Sequence, residues 1–534
     1  MRAREQDVAQ KEHGWGSRVG VILAVAGSAV GLGNFLRFPG NAAQNGGGAF
    51  MIPYFTALVL LGIPIGWAEW VMGRYGGRKG FHSAPMILGV IGKGPVVRYL
   101  GVVGVLIPLV VYFYYVLIES WCLQYAFRYF TGGLDLGGAA IGDQVAVSTS
   151  TFAVVTAQQA DGAVFRADHA GVLIAFLVTF ALNLYFVHRG LSKGVELVCR
   201  YAMPVMAVCA LIVLVRVMTL GTPDPAHPDQ NVLAGLGFMW NPNFSKLGDA
   251  KTWMAAAGQV FFTLSVGFGV IINYASYLKQ KDDVVLSGLT ASATNEFFEV
   301  ALGGMITIPA AVIFLGVELA QKTTGGTFST GFIALPVVFA HMPFGRLFGG
   351  LWFFMLFLAA ITSSLSMLQP VRAFLMETLD MDGRLATAVL GAVTFVGCGF
   401  VMFFSKDLAA LDTLDFWVGT FVIFILAALQ LFAFGWVFGI ERGFKESEPG
   451  ALLRIPGIFK FIMKYVAPTY LLVVFVMFCV QNVPGYVRSL SQNPVAVYSW
   501  VLILAAITAI VIVTRAGAQR LRARGMDIDG REEA

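Results

Sequence analysis

Apolar runs of membrane length recur along almost the whole chain and limit the folds that are open to it. They lie near residues 17–42, 48–73, 97–129, 169–188, 197–219, 253–277, 284–316, 347–376, 385–404, 411–439, 464–482 and 496–514. A run of about 20 apolar residues crosses the hydrocarbon core as a helix, because lipid offers no hydrogen-bond partner to an open backbone. With 57% hydrophobic and 13% charged residues, the chain also has too little polar surface for a soluble globule. We therefore predict an all-α polytopic membrane protein with about twelve transmembrane helices, numbered here as spans.

Lysines and arginines cluster in every second connection between these spans. They are Arg2, Arg4, Lys11 and Arg18 before span 1, Arg74, Arg78, Lys79, Lys93 and Arg98 before span 3, Lys279 and Lys281 after span 6, Arg442, Lys445 and Arg454 before span 11, and Arg515, Arg520, Arg522 and Arg524 at the end. Positively charged loops stay in the cytoplasm, so residues 1–14 and 515–534 are predicted to be cytoplasmic tails. The net charge of +5 then reflects topology, and no nucleic-acid partner is expected.

The chain shows no catalytic or metal-cluster pattern. Its six histidines are dispersed, and its five cysteines lie in apolar runs without a CxxC spacing. We therefore expect neither an enzyme nor an organic cofactor. A channel would need a continuous polar pore, whereas the polar residues here collect at two interruptions. This pattern favours a transporter, and a sensor that binds its ligand without moving it is the alternative.

The two interruptions lie in spans 1 and 6. Span 1 carries Gly27, Gly31 and Gly33, and span 6 carries the glycine-rich stretch 265–269. Glycine inside a helix costs roughly 1 kcal/mol relative to alanine, so these positions indicate an unwound backbone. For Gly27 and Gly31 alone, close packing of two helices is the simpler explanation. Two interrupted spans in corresponding halves, however, indicate the midplane site of an inverted-repeat transporter.

Polar side chains near these interruptions could bind a hard cation. Asn34, Thr263 and Asn295 offer neutral oxygens, the ligand type that sodium prefers. Span 8 adds hydroxyls within residues 362–366, although such hydroxyls commonly bond back to the preceding turn. Ionised side chains inside a membrane normally face a cavity or a partner. Those in this chain are Arg37, Glu69, Glu119, Glu299 and Asp415, of which Arg37 and Asp415 are predicted to pair as a gate.

Several segments resemble the signature sequences of the neurotransmitter:sodium symporter family, and its bacterial members most of all. They are GSAVGLGNFLRFP, NGGGAFMIPY, EWVMGRYGG, YYVLIESW, GQVFFTLSVGFG, LSGLTASATNEFFEV and AAITSSLSMLQP, in the order of the family. The resemblance implies a 5+5 inverted repeat with interrupted spans 1 and 6, followed by two extra helices. Residues 15–219 would form the first repeat, 220–252 an extracellular loop, 253–439 the second repeat and 440–514 spans 11 and 12.

The resemblance also implies two sodium sites. The first sodium would bind the Ala29 carbonyl, the side chains of Asn34, Thr263 and Asn295, and the carboxylate of the substrate. The second would lie between spans 1 and 8, at the carbonyls of Gly27, Val30 and Ala359 and the hydroxyls of Thr362 and Ser363. Because the substrate would be a ligand of the first sodium, the binding of the two would be coupled.

A neutral hydrophobic L-amino acid is the substrate that the resemblance implies, imported with sodium by alternating access. The residues around it would be Ser28, Ala29, Gly31, Gly33, Val111, Tyr115, Phe262, Thr263, Ser265, Phe268, Ser363 and Met367. Gly31 stands where amine-transporting members carry an aspartate, so a substrate with its own carboxylate is favoured. Ser28 and Met367 depart from the bacterial pattern, which leaves leucine-, alanine- and methionine-like side chains and aromatic ones such as tryptophan open. The sequence also leaves the oligomeric state open, with a homodimer among the alternatives.

Two glutamates bear on the ions and on the inner gate. Glu299 stands where chloride-dependent members have a serine, which implies chloride-independent transport with the carboxyl beside Tyr54, Gln259 and Asn295; protonation of Glu299 on the return step is left open. Glu377 matches the acidic partner of the family's inner ion pair. The expected arginine is Glu12 here, so Lys11, Arg18 or another base would have to serve.

Overall fold

The computed structural model describes residues 15–137, 141–222, 227–323 and 327–531, and within these ranges the chain forms helices and no β-strand. Ten of the helices are long and apolar enough to cross a membrane, and a bent pair in span 1 makes an eleventh crossing. Span 6, which is divided into two short helices, brings the number to the predicted twelve. The prediction of an all-α polytopic membrane fold is confirmed.

The spans have the following bounds in chain order. Span 1 comprises Arg18–Ala29 and Gly33–Gln44, and spans 2 to 5 are Gly48–Arg78, Pro95–Thr131, Ala167–His188 and Leu191–Met218. Span 6 comprises Ala250–Leu264 and Val270–Ala275, and spans 7 to 12 are Val284–Val317, Gly345–Leu379, Gly383–Phe403, Lys406–Ser447, Ile458–Gln492 and Pro494–Ala523. Shorter helices in the connections are Ala84–Ile91, Ile141–Val155, Val232–Trp240 and Thr330–His341.

Spans 1 and 6 are broken where the glycines predicted. The halves of span 1 meet at a bend of 46°, and Val30 leaves helical geometry there. In span 6 the backbone of Ser265, Gly267 and Gly269 has φ values of 54°, 71° and 81°. Glycine adopts this left-handed region without strain. Gly269 is also fixed by a close approach, since a Cβ there would lie 2.1 Å from the carbonyl oxygen of Gly104 in span 3.

Spans 3 and 8 form the centre of the bundle, and spans 11 and 12 lie at its edge. In the most apolar part of each helix, 94% of span 3 and 83% of span 8 are buried, against 22% of span 11 and 28% of span 12. Spans 3 and 8 pack along each other, and Tyr125 stacks on Phe353 with ring centroids 4.6 Å apart. The apolar outer faces of spans 11 and 12 are suited to lipid. The broken spans therefore rest on a packed central pair.

The carboxy-terminal segment folds back on the connection between spans 2 and 3. Arg98 is only 1% exposed, donates to the carbonyl of Ile528 at 2.9 Å and forms an ion pair with Asp529. Arg522 pairs with the same carboxylate at 2.8 Å. Partial burial raises the pKa of Asp529, but the hydrogen bonds and charges of Arg522 and Arg98 outweigh it and hold this pKa below its ordinary value.

Asp529→Asn is expected to lower the thermal unfolding midpoint of the detergent-solubilised protein. The substitution leaves a buried guanidinium without its anion, a loss of roughly 2 kcal/mol. Because the pKa of Asp529 is depressed, its carboxylate stabilises the folded protein between about pH 8 and 5. This contribution to the free energy of unfolding disappears as the pH falls through that pKa.

Asp380→Asn is the matched control for this variant. Asp380 also pairs with two arginines, Arg520 and Arg524, but its side chain is 53% exposed. Exposed ion pairs contribute about 0–1 kcal/mol. An equal shift of the midpoint in both variants would contradict the structural role assigned to the Arg98–Asp529 pair.

Candidate functional site

Polar side chains from spans 1, 6 and 7 converge at the break in span 1. Asn34 Nδ2 donates to Asn295 Oδ1 at 2.8 Å and to Glu299 Oε2 at 3.3 Å. The Thr263 hydroxyl lies 3.3 Å from Asn295 Oδ1 and donates to Glu299. Asn34, Asn295 and Glu299 are fully buried, and Thr263 is nearly so. The structure thus brings together the three side chains of the predicted first sodium site, and we call these four residues the carboxyl cluster.

Glu299 is the ionisable group of the carboxyl cluster. Besides Asn34 and Thr263, Gln259 donates to it at 2.7 Å and Asn295 at 3.2 Å. Among the described residues, no lysine or arginine forms an ion pair with it. A buried carboxylate without a basic partner is costly unless a cation or a proton neutralises it. The arrangement is therefore suited to binding positive charge.

Glu296 is a second carboxyl at this place, and the sequence did not single it out. The Tyr54 hydroxyl donates to Glu296 Oε2 at 2.8 Å, and Asn295 Nδ2 lies 3.4 Å from Glu296 Oε1. Gln259 and Asn295 contact Glu299 as expected, whereas the hydroxyl of Tyr54 is directed to Glu296. The i, i+3 spacing of Glu296 and Glu299, which puts them one turn apart on span 7, is the signal that would have found this residue.

Span 8 reaches the break in span 1 through its hydroxyls. The Ser363 hydroxyl donates to the carbonyls of Gly27 and Ser28 at 3.4 and 3.3 Å. Thr362 lies against Gly27, where a Cβ would be 3.4 Å from Thr362 Cβ, but its hydroxyl bonds back to the carbonyl of Ala359 at 3.0 Å. The back-bonding alternative thus describes Thr362, whereas Ser363 joins the two spans. Val30, also predicted for the second sodium site, is fully buried at the break.

The breaks of spans 1 and 6 touch each other. The Ser265 hydroxyl donates to the carbonyl of Ser28 at 3.0 Å. Gly31 faces Tyr115 and Ser363, since a Cβ on it would lie 2.8 Å from each of their hydroxyl oxygens. This spacing leaves no room for an aspartate at position 31 without displacing one of these side chains.

The side chains predicted to surround a substrate are uncharged and mostly buried. Phe262 and Phe268 form an edge-to-face pair with centroids 6.3 Å apart, and Phe262 lies on Gly33, where a Cβ would be 2.9 Å from its ring. The remaining members are buried; they are Ser28, Ala29, Val111, Tyr115, Ser265 and Met367. The Tyr115 hydroxyl accepts a hydrogen bond from the backbone of Leu32 at 3.2 Å, so span 3 is tied to the broken segment of span 1.

Arg37 and Asp415 are not paired in this conformation. The guanidinium of Arg37 lies over the ring of Phe262, with Cζ 4.5 Å from its centroid. Asp415 instead accepts a hydrogen bond from the Tyr114 hydroxyl at 2.7 Å. The ion pair of Arg37 and Asp415 stays a prediction.

At its amino-terminal end, span 1 is joined to the chain around it. The Trp15 indole donates to the carbonyl of Tyr274 at 3.1 Å, and Arg18 pairs with Asp283 at 3.1 Å. Asp283 also accepts a hydrogen bond from the backbone of Leu452 at 2.9 Å. Contacts between distant segments therefore close this end of the bundle.

Glu377 does not use a base that the structure describes. It accepts hydrogen bonds from the backbone N–H groups of His82 and Ser83 at 2.9 and 3.1 Å and from the Ser83 hydroxyl. Arg18, one of the predicted partners, is engaged with Asp283. Lys11 and Glu12 lie outside the described residues.

The other two intramembrane glutamates hold helices together away from the carboxyl cluster. Glu69 accepts a hydrogen bond from Gln430 at 2.7 Å, which joins spans 2 and 10. Glu119 accepts from Asn183 at 2.9 Å and from Ser364 at 2.7 Å, which joins spans 3, 4 and 8.

The chain is similar in sequence to a family of sodium-dependent transporters. The model of the Sodium:neurotransmitter symporter family matches residues 12–141 and 167–521. An uncharacterized sodium-dependent transporter of Methanocaldococcus jannaschii is 27% identical over 86% of this chain and 88% of its own length. An uncharacterized sodium-dependent transporter of Bacillus subtilis is 30% identical over 68% of this chain and 72% of its own length. The Homo sapiens sodium- and chloride-dependent GABA transporter 2 is 23% identical over 94% of this chain and 84% of its own length.

A solved structure is similar in fold and in sequence. It is the crystal structure of MhsT in complex with L-phenylalanine, with a TM-score of 0.73 and 26% identity. The likeness covers 87% of this chain and 99% of the other.

Gly303→Ala is expected to remove the stabilisation of the protein by sodium. A Cβ on Gly303 in span 7 would lie 2.1 Å from the backbone carbonyl oxygen of Asn34, so the carboxyl cluster would be forced apart. The measurement is the thermal unfolding midpoint in sodium against potassium, because a ligand of the folded state raises its stability. Overpacking should in addition destabilise the fold by about 1–3 kcal/mol.

Gly258→Ala is the matched control on span 6. A Cβ at Gly258 meets nothing within 4 Å, so this variant should keep the sodium-dependent shift. If Gly303→Ala kept the same shift as Gly258→Ala, the contact between spans 1 and 7 would not be needed for sodium binding.

Proposed function

Because the chain belongs to the Sodium:neurotransmitter symporter family, we propose that it imports a neutral hydrophobic L-amino acid with sodium bound at two sites. It is a sodium-dependent transporter with many membrane spans and not an enzyme. The observation that carries the finer proposal is the carboxyl cluster at the contact of the two broken spans. There the side-chain amides of Asn34 and Asn295 and the hydroxyl of Thr263 donate to the buried Glu299 carboxyl, which has no basic partner among the described residues.

The first sodium is proposed to bind at this cluster together with the Ala29 carbonyl. Its amide and hydroxyl oxygens are the neutral ligands that a hard cation prefers. In the structure Asn34, Asn295 and Thr263 are hydrogen-bonded to one another and to Glu299. A sodium ion would replace some of these mutual hydrogen bonds. A negative charge on Glu299 would lower the free-energy cost of bringing the ion into the membrane.

The second sodium is proposed to bind where span 8 meets span 1, at Gly27, Val30, Ala359, Thr362 and Ser363. Ser363 already reaches two carbonyls of span 1, and Thr362 packs on Gly27. A cation at this contact would hold the two spans together. Its occupancy would then bias which conformation the transporter adopts.

The substrate is proposed to bring its own carboxylate to the break in span 1. Gly31 offers no side chain, and the hydroxyls of Tyr115 and Ser363 occupy the space beside it. The carboxylate would meet Tyr115 and the first sodium, so each would raise the affinity of the other. This shared ligand is the proposed basis of coupling.

The side chain of the substrate is proposed to be apolar and uncharged. Val111, Phe262, Phe268 and Met367 offer no charge to pair with, and methionine adapts to different shapes. The similar structure named above holds L-phenylalanine, which supports an aromatic substrate beside the aliphatic ones.

Both chain termini are proposed to lie in the cytoplasm, in the inner membrane of a bacterium. Arg18 contacts Asp283, which accepts a bond from Leu452, and Arg98 contacts Asp529. The arginine-bearing connections thus come together with other loops and with the carboxy-terminal segment. A concentration of positive charge at one end is typical of the cytoplasmic face.

Uptake into proteoliposomes tests this proposal. A panel of radiolabelled neutral amino acids, including leucine, alanine, methionine, phenylalanine and tryptophan, is offered with an inward sodium gradient or a matched potassium gradient. Accumulation of at least one of them only in sodium is the expected result. Sodium-dependent binding without accumulation would mean a sensor, and neither binding nor uptake of any member would refute the substrate class.

Asn34→Ala and Asn295→Ala are expected to raise the sodium concentration for half-maximal binding of the accepted amino acid by about tenfold or more. Each removes an oxygen ligand from a buried site, where a lost interaction with an ion is worth roughly 1.5–3 kcal/mol. Asn482→Ala is the matched control, since Asn482 in span 11 donates to the carbonyl of Phe478 one turn earlier and, within the part of the chain that the structure describes, to no other group. Unchanged sodium dependence in both site variants would refute the first sodium site.

Uptake by the wild type is expected to be the same in chloride and in gluconate, because the Glu299 carboxyl supplies the negative charge beside the first sodium site. Glu299→Ser removes that charge and should make uptake depend on chloride. Loss of wild-type uptake in gluconate would contradict the role given to Glu299.

A further inference from the structure

Glu196 in span 5 lies against the first residues of span 1. It is 5% exposed, and its two carboxyl oxygens have separate partners. Oε2 accepts from the backbone N–H of Gly16 at 2.7 Å, and Oε1 accepts from the Ser17 hydroxyl at 2.9 Å. Ser17 is itself the N-cap of the helix Arg18–Ala29, since its Oγ accepts from the N–H of Gly20 at 3.0 Å. One carboxyl thus holds the residues that begin the helix.

The fit of Glu196 is close. A Cβ on Gly20 would lie 1.9 Å from Glu196 Oε1, so the carboxyl occupies the space that a side chain at position 20 would take. The start of an α-helix carries partial positive charge, which favours a carboxylate at this place. Among the described residues, no lysine or arginine forms an ion pair with Glu196. Its partners at span 1 are therefore the interactions on which its burial depends.

The other contacts at this end are weaker or do not involve span 1. In the Arg18–Asp283 pair the carboxyl is buried, but the arginine side chain is 43% exposed, so water weakens the pair. Glu377 bonds to His82 and Ser83, which follow span 2. Trp15 adds a single neutral hydrogen bond to Tyr274. Glu196 thus supplies a second buried carboxyl at this end, and it binds the backbone and the N-cap residue of span 1.

We propose that Glu196 is the positioning residue that keeps the amino-terminal half of span 1 packed on span 5. Its two hydrogen bonds would then close the route from the proposed cytoplasmic face to the proposed second sodium site. When they break, this half-helix can leave span 5 and open that route. The inference rests on the proposed function for its direction, but the contact and its test do not require a known substrate.

Cys199 is a native reporter of this interface. It lies one turn after Glu196 in span 5 and is fully buried. Its sulfur would be 3.0 Å from a Cβ on Gly27, so the thiol faces span 1 near the proposed second sodium site. Separation of span 1 from span 5 would expose this thiol to water.

The experiment measures the rate at which N-ethylmaleimide labels Cys199 in the purified full-length protein. The other cysteines, Cys122, Cys209, Cys398 and Cys479, are replaced by alanine. Labelling of a buried thiol follows the fraction of time that its site is open. Glu196→Ala is expected to raise the rate by about tenfold or more, since hydrogen bonds to a charged group are lost. Ser17→Ala keeps the carboxyl beside Cys199 and removes one of its hydrogen bonds, so it should also raise the rate. Loss of the negative charge alone would raise the rate only in Glu196→Ala and Glu196→Gln.

Two controls separate positioning from general loss of structure. In a second background only Cys398 is kept, a thiol of span 9 that is also fully buried. Glu196→Ala should leave its labelling rate unchanged. Glu441→Gln, which alters an exposed carboxyl with a lysine partner, should not change the rate at Cys199.

Two results would overturn the proposal. One is an unchanged rate at Cys199 in Ser17→Ala or in Glu196→Ala. The other is an equal increase at Cys199 and Cys398, which would mean that Glu196 supports the fold as a whole. Failure of the transporter proposal would show in the uptake measurement instead, so the two outcomes are distinguishable.

Discussion

The helix breaks in spans 1 and 6 free main-chain groups inside the membrane, where lipid offers them no partner. The structure satisfies those of span 1 with side chains of span 1 itself and of spans 3, 6 and 8. The N–H groups of Gly31 and Leu32 bond to Asn34 and Tyr115, and the Ser28 carbonyl accepts from Ser265 and Ser363. The residues that make the breaks tolerable are thus the ones that line the site. A ligand that enters must exchange with these bonds, which links its binding to the arrangement of the spans.

The sequence predicted the spans and both breaks, because hydrophobic length and glycine content are local properties of the chain. It could not by itself show which polar residues meet, since Asn34 and Asn295 are far apart in the chain and their contact depends on packing. The resemblance to a family supplied that information, but not the departures from it. The engagement of Arg18 with Asp283, the placement of Arg37 over Phe262 and the bond of Tyr54 to Glu296 follow from side-chain packing. Glu196 was missed because it lies at the edge of a predicted span.

Two buried carboxyls act on span 1 in different ways. Glu299 lies at its break among neutral donors, where an added cation would complete the charge balance. Glu196 lies at its amino-terminal end, where backbone and hydroxyl donors already satisfy it. The first arrangement is suited to reversible binding of an ion, and the second to holding a helix in place. Binding at the break and release of the end would together provide the coupling that a sodium-driven transporter needs.

The central claim is that the carboxylate of the substrate is a ligand of the first sodium. The most direct test is a titration of radioactive sodium binding to the purified protein, alone, with the amino acid that it transports, and with the amine that remains when that amino acid lacks its carboxylate. We predict that the amino acid raises the affinity for sodium and that the amine does not. An equal effect of both compounds, or none from the amino acid, would contradict this account of coupling.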